Sequence, residues 1–153
     1  MPRLIPKKLL IIPCSKTKNE FAYIPEIGFP AWRYYNGRIF RVIKNRMGKN
    51  QWPHRDVEVL ILSAQYGLIH ANQYITPYDR LMTPERAKEL RSDVRSTLTL
   101  WVQQFNVNEL FICLGKAYKK AMPQKYPDGV QVTYLDGMIG EKLHQVKNLW
   151  AVA

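Results

Sequence analysis

A chain of 153 residues with 46% hydrophobic side chains and four Trp buries too much apolar surface to be disordered. No apolar run approaches the ~18 residues of a membrane span, so a single domain over residues 1–153 is expected. Its 23 Lys and Arg against 12 Asp and Glu leave a net charge of +11, a self-repelling surplus that points to a polyanionic partner, nucleic acid first.

The chain opens on Leu9-Leu10-Ile11-Ile12, an all-apolar run expected to be a strand buried on both faces. Pro13-Cys14-Ser15-Lys16-Thr17-Lys18 follows it. From Gly28 to Arg55 there is no acid, while Arg33, Arg38, Arg41, Lys44, Arg46, Lys49 and Arg55 are all basic. Within that stretch a helix is expected from about Ala31 to Met47, with Tyr35, Ile39, Val42, Ile43 and Met47 inward and Arg38, Arg41 and Lys44 outward. Arg33, Arg38, Arg41, Lys44, Arg46 and Lys49 are the expected contacts to a DNA backbone, or simply a solvated face. Val57–Leu62 is a second buried strand, ending at Ser63-Ala64-Gln65-Tyr66-Gly67. A loop of about twenty residues then carries Thr76-Pro77-Tyr78-Asp79, and loops of that length in compact domains are usually functional. Thr83 as N-cap and Pro84 at the first helical position start the next helix, whose inward stripe is Ala87, Leu90, Val94, Leu98, Trp101, Val102 and Phe105. Leu110–Leu114 is a third strand, followed by Gly115 and a helix over about 116–125. After the Asp128-Gly129 turn, Val130–Leu135 reads as a sheet-edge strand, and a helix over 139–149 closes the pattern. Strands alternating with helices predict a three-layer α/β/α domain on a mainly parallel four-stranded sheet.

In such sheets ligands lie beyond the carboxyl ends of the strands, which directs attention to the segments after each strand. Cys14, Ser15, Lys16, Lys18, Ser63, Tyr66, Gly67, Tyr78 and Gly115 are therefore the expected substrate-binding residues: hydroxyl and ammonium donors, close backbone, and aromatic faces for stacking. Polar turn chemistry explains several of them equally well. Sorting the acids by position leaves Asp79 as the first candidate catalytic carboxylate and Asp136 as the second. An Asx-type turn at Asp79 and a helix cap at Asp136 are the alternatives. Cys14 with His70 would make a nucleophile and base, against a buried structural thiol. Cys14 and Cys113 have no zinc or disulfide spacing, so neither metal nor cofactor is expected. Nor does Met1-Pro2-Arg3 begin a signal peptide, so a cytoplasmic setting is expected.

Pro13-Cys14-Ser15-Lys16-Thr17-Lys18 and Ser63-Ala64-Gln65-Tyr66-Gly67-Leu68…Pro77-Tyr78-Asp79 resemble the signature of a bacterial and phage family of small α/β domains. The pattern is similar to the YaaA-like peroxide-stress proteins, which bind DNA, and to the Cys-Ser-x-x-Lys module of archaeosine-synthase enzymes, which act on a modified tRNA base. Asp79 departs from the YaaA-like pattern after Pro-Tyr. The domain also resembles the uracil-DNA-glycosylase type of fold, though the Gly-Gln-Asp-Pro-Tyr and His-Pro-Ser motifs of those enzymes are absent. What the resemblance implies is an antiviral DNA glycosylase that everts and excises a heavily modified, glucosylated cytosine from phage DNA. Tyr66 and Tyr78 would then stack the base and Asp79 would orient water or stabilise the sugar cation. A non-catalytic DNA- or RNA-binding stress protein accounts for the charge without any carboxylate, and a transferase or lyase on a nucleotide-like small molecule is a third reading. The enzyme reading requires these distant segments to meet at one cationic hollow.

Overall fold

A computed structural model of the chain describes residues 7–15, 28–46 and 57–150. Five strands form the main sheet: β1 (Lys7–Pro13), β3 (Val57–Ser63), β4 (Gly67–His70), β6 (Val107–Ile112) and β7 (Gln131–Tyr134). They lie in the order β4-β3-β1-β6-β7, with β1, β3, β6 and β7 parallel and β4 antiparallel at one edge. The central position of β1 explains its apolar composition. Leu9 and Ile11 point into one face of the sheet and Leu10 and Ile12 into the other, and all four are fully buried.

Each face has its own core. On one, Leu10, Ile12, Val59 and Ile61 meet Tyr34 of α1 (Ala31–Tyr34), Phe40 and Ile43 of α2 (Arg38–Arg46), and Val146 of α5 (Ile139–Asn148). On the other, Leu9, Ile11, Leu60 and Leu110 meet the expected stripe of α3 (Pro84–Gln104), with Ala87, Leu90, Val94, Leu98 and Val102 buried. Thr83 does cap α3, its Oγ1 accepting from the Arg86 N–H at 3.1 Å, and Pro84 follows. β7 lies at the opposite edge from β4, as its weaker pattern predicts.

The sequence expectations need three corrections. The sheet has five strands because Gly67–His70, expected as loop, turns back along β3; Gly67 makes that reversal at φ +77. The helix expected over 31–47 is two, α1 and α2, interrupted at Tyr35–Gly37, where the chain closes on β1: a Cβ on Gly37 would stand 2.7 Å from the Ser15 Cβ. Met47 lies outside the described residues. The helix expected over 116–125 shrinks to α4 (Lys116–Lys119).

A second, two-stranded sheet pairs β2 (Phe29–Pro30) with β5 (Tyr74–Ile75) antiparallel. It pins the loop that carries Tyr78 against the segment that carries Tyr34 and Tyr35. Among the described residues no helix is long and apolar enough to cross a membrane.

Candidate functional site: a tyrosine-lined pocket at the strand ends

Ser63 ends β3, and its side chain is fully buried. Its hydroxyl oxygen accepts from the backbone N–H groups of Gln65 (3.2 Å) and Tyr66 (3.1 Å), the hydroxyl turn that starts the reversal into β4. Its own proton goes to the Tyr78 hydroxyl at 3.0 Å. The Ser-x-x-Tyr-Gly pattern thus builds a turn first. Ser63, expected as a direct ligand donor, lies behind Tyr78 and positions it, while Gly67 is buried in the same turn and serves the backbone.

Tyr78 is the hub. Its hydroxyl meets that of Tyr35 at 2.5 Å, and the Tyr35 hydroxyl also reaches Ser63 Oγ at 3.5 Å. The Tyr78 backbone is held by Tyr34, whose hydroxyl accepts from the Tyr78 N–H at 3.3 Å and lies 3.4 Å from its carbonyl oxygen. Tyr66 stands edge-on to the Tyr78 ring, with centroids 5.6 Å apart, and its hydroxyl donates to the Thr76 carbonyl. Tyr66 therefore braces Tyr78 from the exposed side.

Tyr78 forms one wall of a hollow of about 190 Å3, open to solvent beyond the carboxyl end of β1. Cys14 and Ser15 supply its floor, Arg80, Leu81 and Met82 continue the Tyr78 wall, and Tyr118 of α4 closes the far side. The Cys14 Sγ and the Tyr118 hydroxyl are 3.2 Å apart. Ser15 is fixed by the Gly37 N–H, which donates to its Oγ at 3.2 Å. Burial pushes the Tyr35, Tyr78 and Tyr118 phenols up, so all three are neutral hydroxyls at physiological pH. At a ~30 Å3 share per water the hollow matches a handful of waters, below the ~300–1,000 Å3 of drug-sized sites. It suits one small planar group.

The structure brings Cys14, Ser15, Ser63, Tyr66, Gly67 and Tyr78 to one place. Lys16 and Lys18 lie outside the described residues. Gly115 is exposed at the start of α4, with open space where a Cβ would stand. Asp79 follows the pocket wall in sequence but is exposed and does not line the hollow. Asp136 is exposed too, 3.2 Å from the Lys119 Nζ; the helix cap suggested for it falls instead to Met138. Cys14 and His70 are not a catalytic pair. His70 bonds Glu58 at 2.9 Å, and Glu58 is in register with Leu9, five residues back along β1 from Cys14, roughly 16 Å at strand rise.

Of the expected backbone contacts, Arg33, Arg38 and Arg41 are exposed around α1 and α2, and Arg46 ends α2. Lys44 is instead half-buried. Its Nζ donates to the Tyr35 carbonyl at 3.1 Å and lies 5.9 Å from the Trp32 ring centroid. Burial, then Arg33 and Arg41, push its pKa down. Lys49 lies outside the described residues. Sequence reading missed Tyr35, which has the helical spacing of a core residue, and Tyr118, although the segment after β6 was the place to look.

The model of a family of unknown function, DUF6884, matches residues 9–148, a span that includes every described pocket residue. The chain belongs to the DUF6884 family. A comparison with curated proteins finds no match. Among solved structures, this DUF6884 domain is similar to the crystal structure of AF0587, a protein of unknown function, at 13% identity and a TM-score of 0.56. The similarity covers 97% of this chain and 46% of that one, so the chain spans less than half the length of its structural neighbour. That likeness is one of fold.

Proposed function

We propose that this DUF6884 domain receives one modified nucleobase of DNA in the Tyr78 pocket and hydrolyses its N-glycosidic bond. The bond between sugar C1′ and the base nitrogen breaks, water oxygen adds to C1′, and the base leaves with a proton. One observation carries the reading: the segment after β1, the loop after β5 and α4 converge on a single hollow of about 190 Å3, lined by the Tyr78 and Tyr118 rings, Leu81 and Met82 together with Cys14, Ser15 and Arg80. Aromatic and aliphatic walls with a few polar groups suit the faces and edges of one planar ring. The deoxyribose and any glucosyl substituent extend through the open mouth, where Arg80 stands. Asp79, next in the chain to Tyr78, is the carboxylate for water or the sugar cation. The net charge of +11 and the exposed Arg33, Arg38 and Arg41 supply phosphate contacts. A fold of the uracil-DNA-glycosylase type and an antiviral role belong to the same proposal.

A non-catalytic nucleic-acid-binding protein is the second reading. The exposure of Asp79, away from the pocket walls, favours it. The two separate in one assay: DNA containing glucosylated hydroxymethylcytosine and unmodified DNA are each incubated with the protein and then treated with alkali. Strand breaks confined to the modified DNA, abolished by Asp79→Asn with DNA affinity retained, are the expected result. Retarded mobility without breaks overturns excision and leaves a binder; breaks that survive Asp79→Asn remove Asp79 from the chemistry.

A further inference from the structure

The face of the sheet opposite α2 carries a second basic surface. Lys88, Arg91 and Arg95 recur along α3 at three- and four-residue spacing, so neighbouring cations stand about 5 Å apart along the helix axis. They line one side of a groove of about 530 Å3 whose other side is Pro123, Gln124 and Lys125. A smaller hollow of about 180 Å3 continues it past Thr99 to Tyr126 and Pro127, sharing Arg95, Pro123 and Lys125. Among the described residues no acid lines either part. Lys88, Arg95 and Lys125 form no ion pair among the described residues, whereas the Glu89 carboxylate, one residue from Lys88, is taken by Arg80 and Arg86. Arg91 is fixed in place, its Nε donating to the Lys120 carbonyl at 2.9 Å. The groove floor is shaped by buried Pro123, beside Met122 of the second core.

We infer that this groove is a second nucleic-acid contact, which follows the phosphates of a single strand. It rests on the proposed function only in taking the ligand to be nucleic acid. The arrangement decides the ligand class. Four cations strung along a helix and across to Lys125 match a linear polyanion, in which charge repeats, better than one compact anion. Tyr126, at the far end, is bonded through its hydroxyl to Tyr134. It offers an aromatic surface where a base leaving the phosphate track can rest. α2 and α3 cover opposite faces of the sheet. A strand held on α3 is therefore separate from a duplex lying on α2.

The test is binding of a labelled, unmodified single-stranded oligonucleotide over a range of salt. Lys88→Gln/Arg95→Gln is expected to lower affinity about tenfold at low salt and to reduce the slope of log K against log salt by about 1.4. Lys125→Gln, from the other wall, is expected to lower affinity about threefold. Lys142→Gln/Lys147→Gln, which removes two charges from α5, is expected to leave the slope unchanged. Equal losses in both double variants would reduce the effect to net charge and overturn the inference, as would a mononucleotide that binds as tightly as the oligonucleotide. Salt-dependent strand binding through the groove, together with no alkali-induced breaks in the glucosylated DNA, sustains the inference while the excision reading fails.

Discussion

Tyr35 and Tyr78 meet hydroxyl to hydroxyl at 2.5 Å although 43 residues separate them, and the buried Ser63 hydroxyl touches both. The contact ties the junction of α1 and α2 to the loop before α3, and so sets the wall of the pocket. Tyr35→Phe keeps the ring and removes one partner. It is expected to cost about 1 kcal/mol in a urea titration, near the mean for one hydrogen bond. Ser63→Ala also strands two backbone N–H groups and is expected to cost about 2–3 kcal/mol. Equal costs for the two would show that the Ser63 turn does not depend on its hydroxyl.

Gly37→Ala tests the closest approach in the site. The added Cβ would sit 2.7 Å from the Ser15 Cβ, two residues past the end of β1. We expect a loss of about 1–3 kcal/mol. The proposed base binding should weaken as well, because Ser15 must move from the pocket floor. Wild-type melting and wild-type binding together would show that the chain relaxes freely there.

Gly67→Ala separates backbone strain from crowding. Its nearest contact would be Leu90 at 3.7 Å, which is ordinary, but its φ of +77 is left-handed. A loss of about 1–2 kcal/mol is expected from conformation alone. Gly67→Asn should recover part of it, since Asn tolerates that region better.

Glu58 predicts a pH dependence. Burial opposes its ionisation, but the hydrogen bond and charge of His70, followed by Lys7, outweigh it, so the carboxyl is held below its ordinary 4.5. A depressed carboxyl contributes stability that is complete above the unfolded value and lost as pH falls through the folded one. Glu58→Gln should therefore destabilise at pH 7 and converge with wild type at lower pH. A gap of constant size down to pH 3 would assign the effect to packing instead.

Under the proposed excision, Asp136→Asn is expected to leave base release within about twofold of wild type, because Asp136 does not line the pocket, and to cost little stability, because exposed pairs of this kind contribute little. The side chain is 70% exposed and its partner is Lys119. Abolished release in a folded variant would place Asp136 at the reaction and displace Asp79.

The layers were legible in the sequence where burial is uniform. Leu9–Ile12 and Val59–Leu62 show unbroken apolar runs because both faces of those strands are covered, and the α3 stripe keeps its period along the 21-residue helix. β4 was hidden because Gly67 and the turn chemistry before it read as loop. The break between α1 and α2 was passed over for a different reason: apolar periodicity continues across Tyr35–Gly37 although Asn36-Gly37 is a breaker pair, and it is there that Gly37 packs against Ser15. The pocket was legible as strand-end segments. Its hub was not, since Ser63 and Tyr35 differ from core or turn residues only through a partner that tertiary folding delivers. The cations of α3 show the same limit. Their spacing was visible, but the opposing wall at 123–127 was not.

The order of the strands also sets a timetable for biosynthesis. β1 hydrogen-bonds to β3 and β6, so its second neighbour is not made until residue 112 leaves the ribosome. At ~5–20 residues per second the most apolar segment of the nascent polypeptide waits seconds with one flank bare. Charges flanking an apolar strand oppose self-association during such a wait, and Lys7 and Lys8 stand at its leading end.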